Sequence, residues 1–165
     1  NKRNVVRYFR FLSQTQEESN LNLKILINSC DEMAKSKIGA IIVLQKNNSL
    51  DFTLNESNYS KIQLTPQVLE SIFFKNSPLH DGAIVIKNNI IIATRVILPV
   101  SDKSNIPSRY GLRHRAALGI TEKTDALVLV ISEQTGKIVY FKNGSFYSID
   151  SLEALKKSIT QDLSN

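Results

Sequence analysis

Ile38-Gly39-Ala40-Ile41-Ile42-Val43-Leu44 is an unbroken apolar run of strand length. A strand with no polar face must be covered on both sides, so this run belongs inside a sheet with structure packed above and below it. Ala126 to Ser132 is a second run of the same kind. Gly82 to Lys87 and Ile90 to Leu98 are β-branched runs joined by Asn88-Asn89, a two-residue hairpin signal, and Pro99 ends the second. Lys137 to Phe141 and Ser145 to Ile149 form another hairpin about Asn143-Gly144. Between these runs the period is helical. Leu23, Ile27, Cys30 and Ala34 mark a helix from about Thr15 to Lys35, with Thr15 and Glu18 as its capping box. Asn55 to Lys61 is a polar stretch leading to Thr65-Pro66, the cap and first turn of a helix through about Phe74. A third helix is predicted around Arg113 to Ile120, and Ser151 with Ala154, Leu155 and Ile159 marks a C-terminal one. The fold class that follows is α/β: a single globular domain with a central mixed β-sheet flanked by helices.

The length, 165 residues, suits one domain, and 42% hydrophobic residues suffice for a core. Cys30, the one cysteine, lies on a helical apolar stripe, so it reads as a buried structural thiol; an internal disulfide and multi-cysteine metal sites are excluded. No apolar run approaches the roughly 18–20 residues that span a bilayer. The net charge of +6 suggests nucleic acid until it is located. Lys2, Arg3, Arg7 and Arg10 supply four positive charges, and Arg109, Arg113 and Arg115 three more. Setting those seven aside leaves 14 basic residues against 15 acidic ones. Two local features carry the excess, and no nucleic-acid partner is expected. The first of them, mixed with Tyr8, Phe9, Phe11 and Leu12, suits a membrane surface, the continuation of a helix, or a charged start packed loosely on the domain.

Both histidines lie in polar clusters at the ends of predicted elements. Asn76-Ser77-Pro78-Leu79-His80-Asp81-Gly82-Ala83 runs straight into a strand. Turn chemistry alone accounts for its Pro, Asp and Gly, but His80 and Asp81 also offer an imidazole and a carboxylate to a divalent metal. Gly111-Leu112-Arg113-His114-Arg115-Ala116-Ala117 opens a helix. Open backbone N–H groups, two guanidinium forks and an imidazole suit a polyphosphate; the alternative is an exposed basic helix end, which would oppose the helix dipole. Ser132-Glu133, where a buried strand ends, offers a phosphate donor and a metal ligand, or simply a solvated turn before Thr135-Gly136. Neither a Walker A run nor G-x-G-x-x-G is present.

In this order and context, Asp81–Ala83, Arg113–Arg115 and Ser132-Glu133 resemble the motifs of the diadenylate cyclase (DAC) domain, over about Leu23 to Ile149. Ile38-Gly39-Ala40, Pro78-Leu79-His80, Leu98-Pro99, Gly119–Glu122 and Thr124–Ala126 add supporting matches. The chain is most similar to the membrane-tethered CdaA-type branch. The resemblance implies residues 15–165 as the catalytic domain and residues 1–14 as a basic segment following a removed membrane anchor, at the cytoplasmic face of the cell membrane, this fragment itself being soluble. It also implies condensation of two ATP molecules into cyclic di-AMP and two pyrophosphates, one ATP per domain in a face-to-face homodimer. Asp81 is then the catalytic residue, helping to deprotonate the 3′-hydroxyl or holding the metal that does so, and His80, Asp81 and Glu133 are the candidate ligands of Mn²⁺, Mg²⁺ or Co²⁺. Gly82, Arg113, His114, Arg115 and Ser132 would hold the phosphates, and Leu98 with Ile97 the adenine. Two positions depart from the family: Leu112 stands where a Thr is common, and Ile97 where CdaA-type relatives often carry a Tyr that stacks on the base. The rival reading is a catalytically silent module that binds ATP or the cyclic dinucleotide.

Overall fold

The computed structural model describes residues 20–165. Its elements run α1 (Leu23–Lys35), β1 (Ala40–Leu44), β2 (Tyr59–Gln63), α2 (Pro66–Phe73), β3 (Ala83–Lys87), β4 (Ile90–Val96), α3 (Leu112–Lys123), β5 (Leu127–Ile131), β6 (Ile138–Lys142), β7 (Ser145–Ser148) and α4 (Leu152–Ser164). The strands form one sheet in the order β2-β4-β3-β1-β5-β6-β7. Only β1 and β3 pair in parallel, and every other neighbour is antiparallel. The sheet is therefore mixed, as expected.

Side-chain alternation along β1 divides the core. Ala40, Ile42 and Leu44 join one apolar cluster with Leu26, Cys30 and Met33 of α1, Leu69 of α2 and Leu155 of α4. Ile41 and Val43 join a second, with Ala117 and Ile120 of α3. Three helices thus cover one face and α3 covers the other, which explains why β1 and β5 are apolar at every position. Cys30 lies in the first cluster and burial pushes its thiol up to about 12, in keeping with a structural role.

The predicted boundaries shift where polar side chains decide them. α1 starts at Leu23 because Asn22 caps it, accepting the Ile25 N–H at 3.2 Å. Thr15 and Glu18, and the whole basic segment 1–14, lie outside the described residues. Thr65 caps α2 and Ser151 caps α4 through their hydroxyls, as their positions suggested. Asn143 and Gly144 both take positive φ, the backbone that a tight hairpin requires. The sequence reading missed β2. It is an edge strand whose residues alternate exposed and half-buried, so its polar composition hides it in what reads as loop. Among the described residues no helix is long and apolar enough to cross a membrane.

α3 is pressed against the segment after β4. A Cβ on Gly119 would stand 1.9 Å from the Pro99 carbonyl oxygen, and the Ser101 N–H donates to the Arg115 carbonyl at 3.0 Å. This contact fixes the start of α3 over one end of the sheet.

Candidate active site

Register brings the singled-out residues to that end. Ile42 faces Ile84 across the parallel pair, Ala40 faces Ile131, and Ala83 faces Val96. Gly39 before β1, Asp81 and Gly82 before β3, Ile97 and Leu98 after β4, and Ser132 and Glu133 after β5 therefore share one rim of the sheet.

The start of α3 closes the rim from above. Arg113 Nη1 lies 3.3 Å from Glu133 Oε1. The guanidinium spreads over Gly39, where a Cβ would stand 2.9 Å from Arg113 Cζ and 3.1 Å from Glu133 Cβ. Glycine is required there for approach, since only a bare backbone leaves room for the fork. We expect Gly39→Ala to push the end of Arg113 aside and to weaken binding of a phosphate-bearing ligand at this cleft about tenfold while the protein stays folded. A binding titration beside a melting curve would check this.

A cleft of about 410 Å³ opens here, lined among others by Arg109, Tyr110, Arg113, His114, Ser132 and Glu133. Ser132 is preset as a donor: its Oγ accepts the N–H groups of Gln134 and Thr135, both at 3.2 Å, which turns its own proton outward. Gly111 caps α3 without a side-chain bond, and the first turn contains no acid, so backbone N–H groups remain open beside two arginines. Arg115 turns the other way. Its Nη1 donates to the Lys103 carbonyl at 3.4 Å, and it lines neither this cleft nor the adjoining one.

His114 is 7% exposed and stacks on Tyr110, with ring centroids 4.3 Å apart and planes 6° from parallel. Arg109 lies over the Tyr110 ring, its Cζ 4.9 Å from the centroid. Burial first, then the charges of Arg113 and Arg109, pull the imidazole down to about 4. At neutral pH it is an uncharged hydrogen-bonding group. The linkage has a definite sign. The unfolded histidine binds its proton at about 6.5 and the folded one only near 4, so stability rises with pH across that interval and is fully present above it. Chemical denaturation between pH 4 and 7 should show this slope, of order 2–3 kcal/mol in all, and His114→Gln should flatten it.

The acid loop is built separately. Half-buried Leu79 packs against the core and anchors it, and the Leu79 N–H donates to Ser77 Oγ at 3.1 Å. His80 Nδ1 lies 2.7 Å from the Ser77 carbonyl, which assigns that nitrogen the proton. Nε2 lies 3.1 Å from Asp81 Oδ1, and in the neutral imidazole both of these atoms carry lone pairs. Two electron-pair donors held this close fit a shared cation. Glu133 does not join them. Among the described residues no three His, Cys, Asp or Glu side chains form a metal cluster. Asp81 heads β3 and Glu133 follows β5 with β1 between them, a separation of two strand spacings, about 10 Å, and Glu133 pairs with Arg113 instead. Ile97 is 85% exposed and offers an apolar surface, whereas the Leu98 side chain is in the core and leaves its main chain at the rim.

In the sequence Arg109 is counted with Arg113 and Arg115 as a basic feature facing phosphate, whereas Tyr110 and the floor position of Gly39 have no assignment there. Their signal was proximity: an aromatic residue four positions before His114, and a glycine opening a strand beside the other motifs. A second cleft of about 360 Å³ shares Arg109, Tyr110, His114 and Ser132 and adds Thr135 and Lys137.

Comparison with known proteins shows the family and the fold. Residues 27–146 match the family model DAC, the DisA bacterial checkpoint controller nucleotide-binding domain. The chain is 38% identical over 139 residues to the diadenylate cyclase CdaS of Bacillus thuringiensis, covering 84% of this chain and 67% of that protein. It is 36% identical over 156 residues to a diadenylate cyclase of Listeria monocytogenes, covering 94% of this chain and 57% of that one. Among solved structures, DacA from Staphylococcus aureus superposes with a TM-score of 0.82 at 33% identity, covering 87% of this chain and 95% of that one. A hypothetical membrane spanning protein from Bacillus cereus gives 0.74 at 38% identity, covering 78% and 63%.

Proposed function

The chain belongs to the DAC family of bacterial nucleotide-binding domains, and on that premise we propose that it catalyses the condensation of two ATP molecules into cyclic di-AMP. The observation that carries the reading is the bare floor at Gly39, flanked on one side by Asp81 and on the other by Arg113 and Glu133. A phosphate seated there has the guanidinium, the Ser132 hydroxyl and the open N–H groups of α3 on one side. The acid stands on the other.

In each half-reaction the 3′-oxygen of one ATP bonds to the α-phosphorus of the other, the bond to the β-phosphate oxygen breaks, and pyrophosphate leaves. Asp81 takes the hydroxyl proton. Arg113 and the neutral His114 meet the charge that builds on the phosphate oxygens and the leaving group. His80 and Asp81 would hold a divalent cation, while Glu133 holds Arg113 in place. Such a cation neutralises phosphate charge and makes a nearby hydroxyl more acidic. The adenine rests against Ile97 and the main chain at Leu98.

One rim grips one ATP, so the reaction requires two domains facing each other. The basic segment 1–14, with the resemblance to a protein described as membrane spanning, supports a membrane-attached setting. Activity should require Mn²⁺, Mg²⁺ or Co²⁺, vanish with chelator, and fall per molecule on dilution. Full activity in a solution that sediments as monomer would overturn the paired-site reading.

A further inference from the structure

The acid loop rests on an irregularity in β4. Arg95 has φ +53°, a left-handed backbone uncommon for any residue with a side chain, and the β3–β4 ladder shifts register beside it. Gly82, at φ +84°, packs directly on this bulge: a Cβ there would stand 2.8 Å from the Arg95 carbonyl carbon and 3.0 Å from its Cα.

The group that holds the bulge comes from the turn leading into β2. Asn58, just before β2, is 6% exposed, and its Nδ2 donates to the carbonyls of Thr94 and Arg95, both at 3.1 Å. Its Oδ1 accepts the Asn55 N–H at 2.9 Å, and its own carbonyl accepts the Thr94 N–H at 2.9 Å. Consecutive carbonyls of a regular strand point to opposite sides. One carboxamide can serve both only where the strand is bulged. Asn58 therefore stabilises the irregular form of β4 and not the regular one.

We propose that Asn58 is a positioning residue for Asp81. It clamps the Thr94–Arg95 bulge, the bulge seats Gly82, and Gly82 sets the direction in which the neighbouring carboxylate leaves the rim. The proposal rests on the catalytic reading of Asp81 above. Strained backbone held by a buried polar bracket beside a reacting group is a recurring way to fix that group's position.

The test uses Asn58→Ala, Arg95→Gly and their combination. Glycine accepts a positive φ without strain, so it should let the bulge form with less help. Asn58→Ala is expected to lower kcat about tenfold or more, as displacement of a reacting group by a fraction of an ångström does, with KM for ATP within about twofold of wild type. The double variant should regain several-fold of that loss. Amide exchange of the segment 79–84 should quicken in Asn58→Ala and slow again in the double variant. If alanine prevents folding, Asn58→Ser leaves a small polar group that cannot reach both carbonyls and buries no charge. Unchanged kcat in a folded variant, or a loss that Arg95→Gly does not relieve, would overturn the proposal. If the wild type forms no cyclic dinucleotide, the catalytic reading fails, and unchanged exchange across 79–84 would separately refute the coupling.

Discussion

Asp81→Asn is expected to reduce formation of cyclic di-AMP by about 10³-fold or more, the upper part of the range for loss of a general base that also helps hold a cation. The substitution preserves shape, and the new amide can donate to His80 Nε2, which now faces a carboxylate oxygen at 3.1 Å. The Asp81 side chain is 81% exposed and makes no core contact, so the melting temperature should not change. What disappears is the negative charge and the site that receives the hydroxyl proton. ATP should still bind, because the groups proposed to face phosphate lie across Gly39 on α3 and after β5. A folded Asp81→Asn protein that keeps a tenth of wild-type turnover would remove Asp81 from the chemistry.

The second large effect is expected at Arg113. Its guanidinium is the cation seated over Gly39, held by Glu133 at 3.3 Å. On the proposed reading, Arg113→Ala takes away a fork aimed at phosphate and leaves the Glu133 carboxylate to repel the same phosphate. Loss of one preorganised donor to a developing charge costs about 10²–10³ in rate, so kcat/KM should fall by at least that factor. Folding should be nearly unaffected, because a partly exposed ion pair contributes only about 0–1 kcal/mol. Arg113→Lys should fall between, since it restores charge but not two-pronged geometry. An Arg113→Lys variant as active as wild type would mean that the fork contributes nothing beyond its charge.

Much of this was legible in the residues. β1 and β5 are continuous apolar runs because both faces of the sheet are covered, and that pattern fixes the fold class before any helix is placed. The site motifs fall at strand ends, where register collects them. β2 was invisible because an edge strand with one open face needs little apolar surface. The ligand set could not be read from residue types alone: whether Asp81 and Glu133 meet depends on β1 lying between β3 and β5, which is a fact of sheet order. Arg115 looks equivalent to Arg113 in sequence, yet two positions along a helix turn a side chain by about 200°, toward Lys103 and away from the rim. His114 is apparent as a polar residue but not as a neutral one, since its burial under Tyr110 is a tertiary outcome. Asn58 sits in a polar stretch with nothing to mark it.

The most direct measurement is the stoichiometry of the reaction. Purified protein incubated with ATP and Mn²⁺ should consume two ATP for each cyclic di-AMP formed and release two pyrophosphates, with chromatography and mass identification of the products. ATP held tightly and recovered intact, or converted to ADP and phosphate, would contradict the assignment of two facing rims joining two nucleotides.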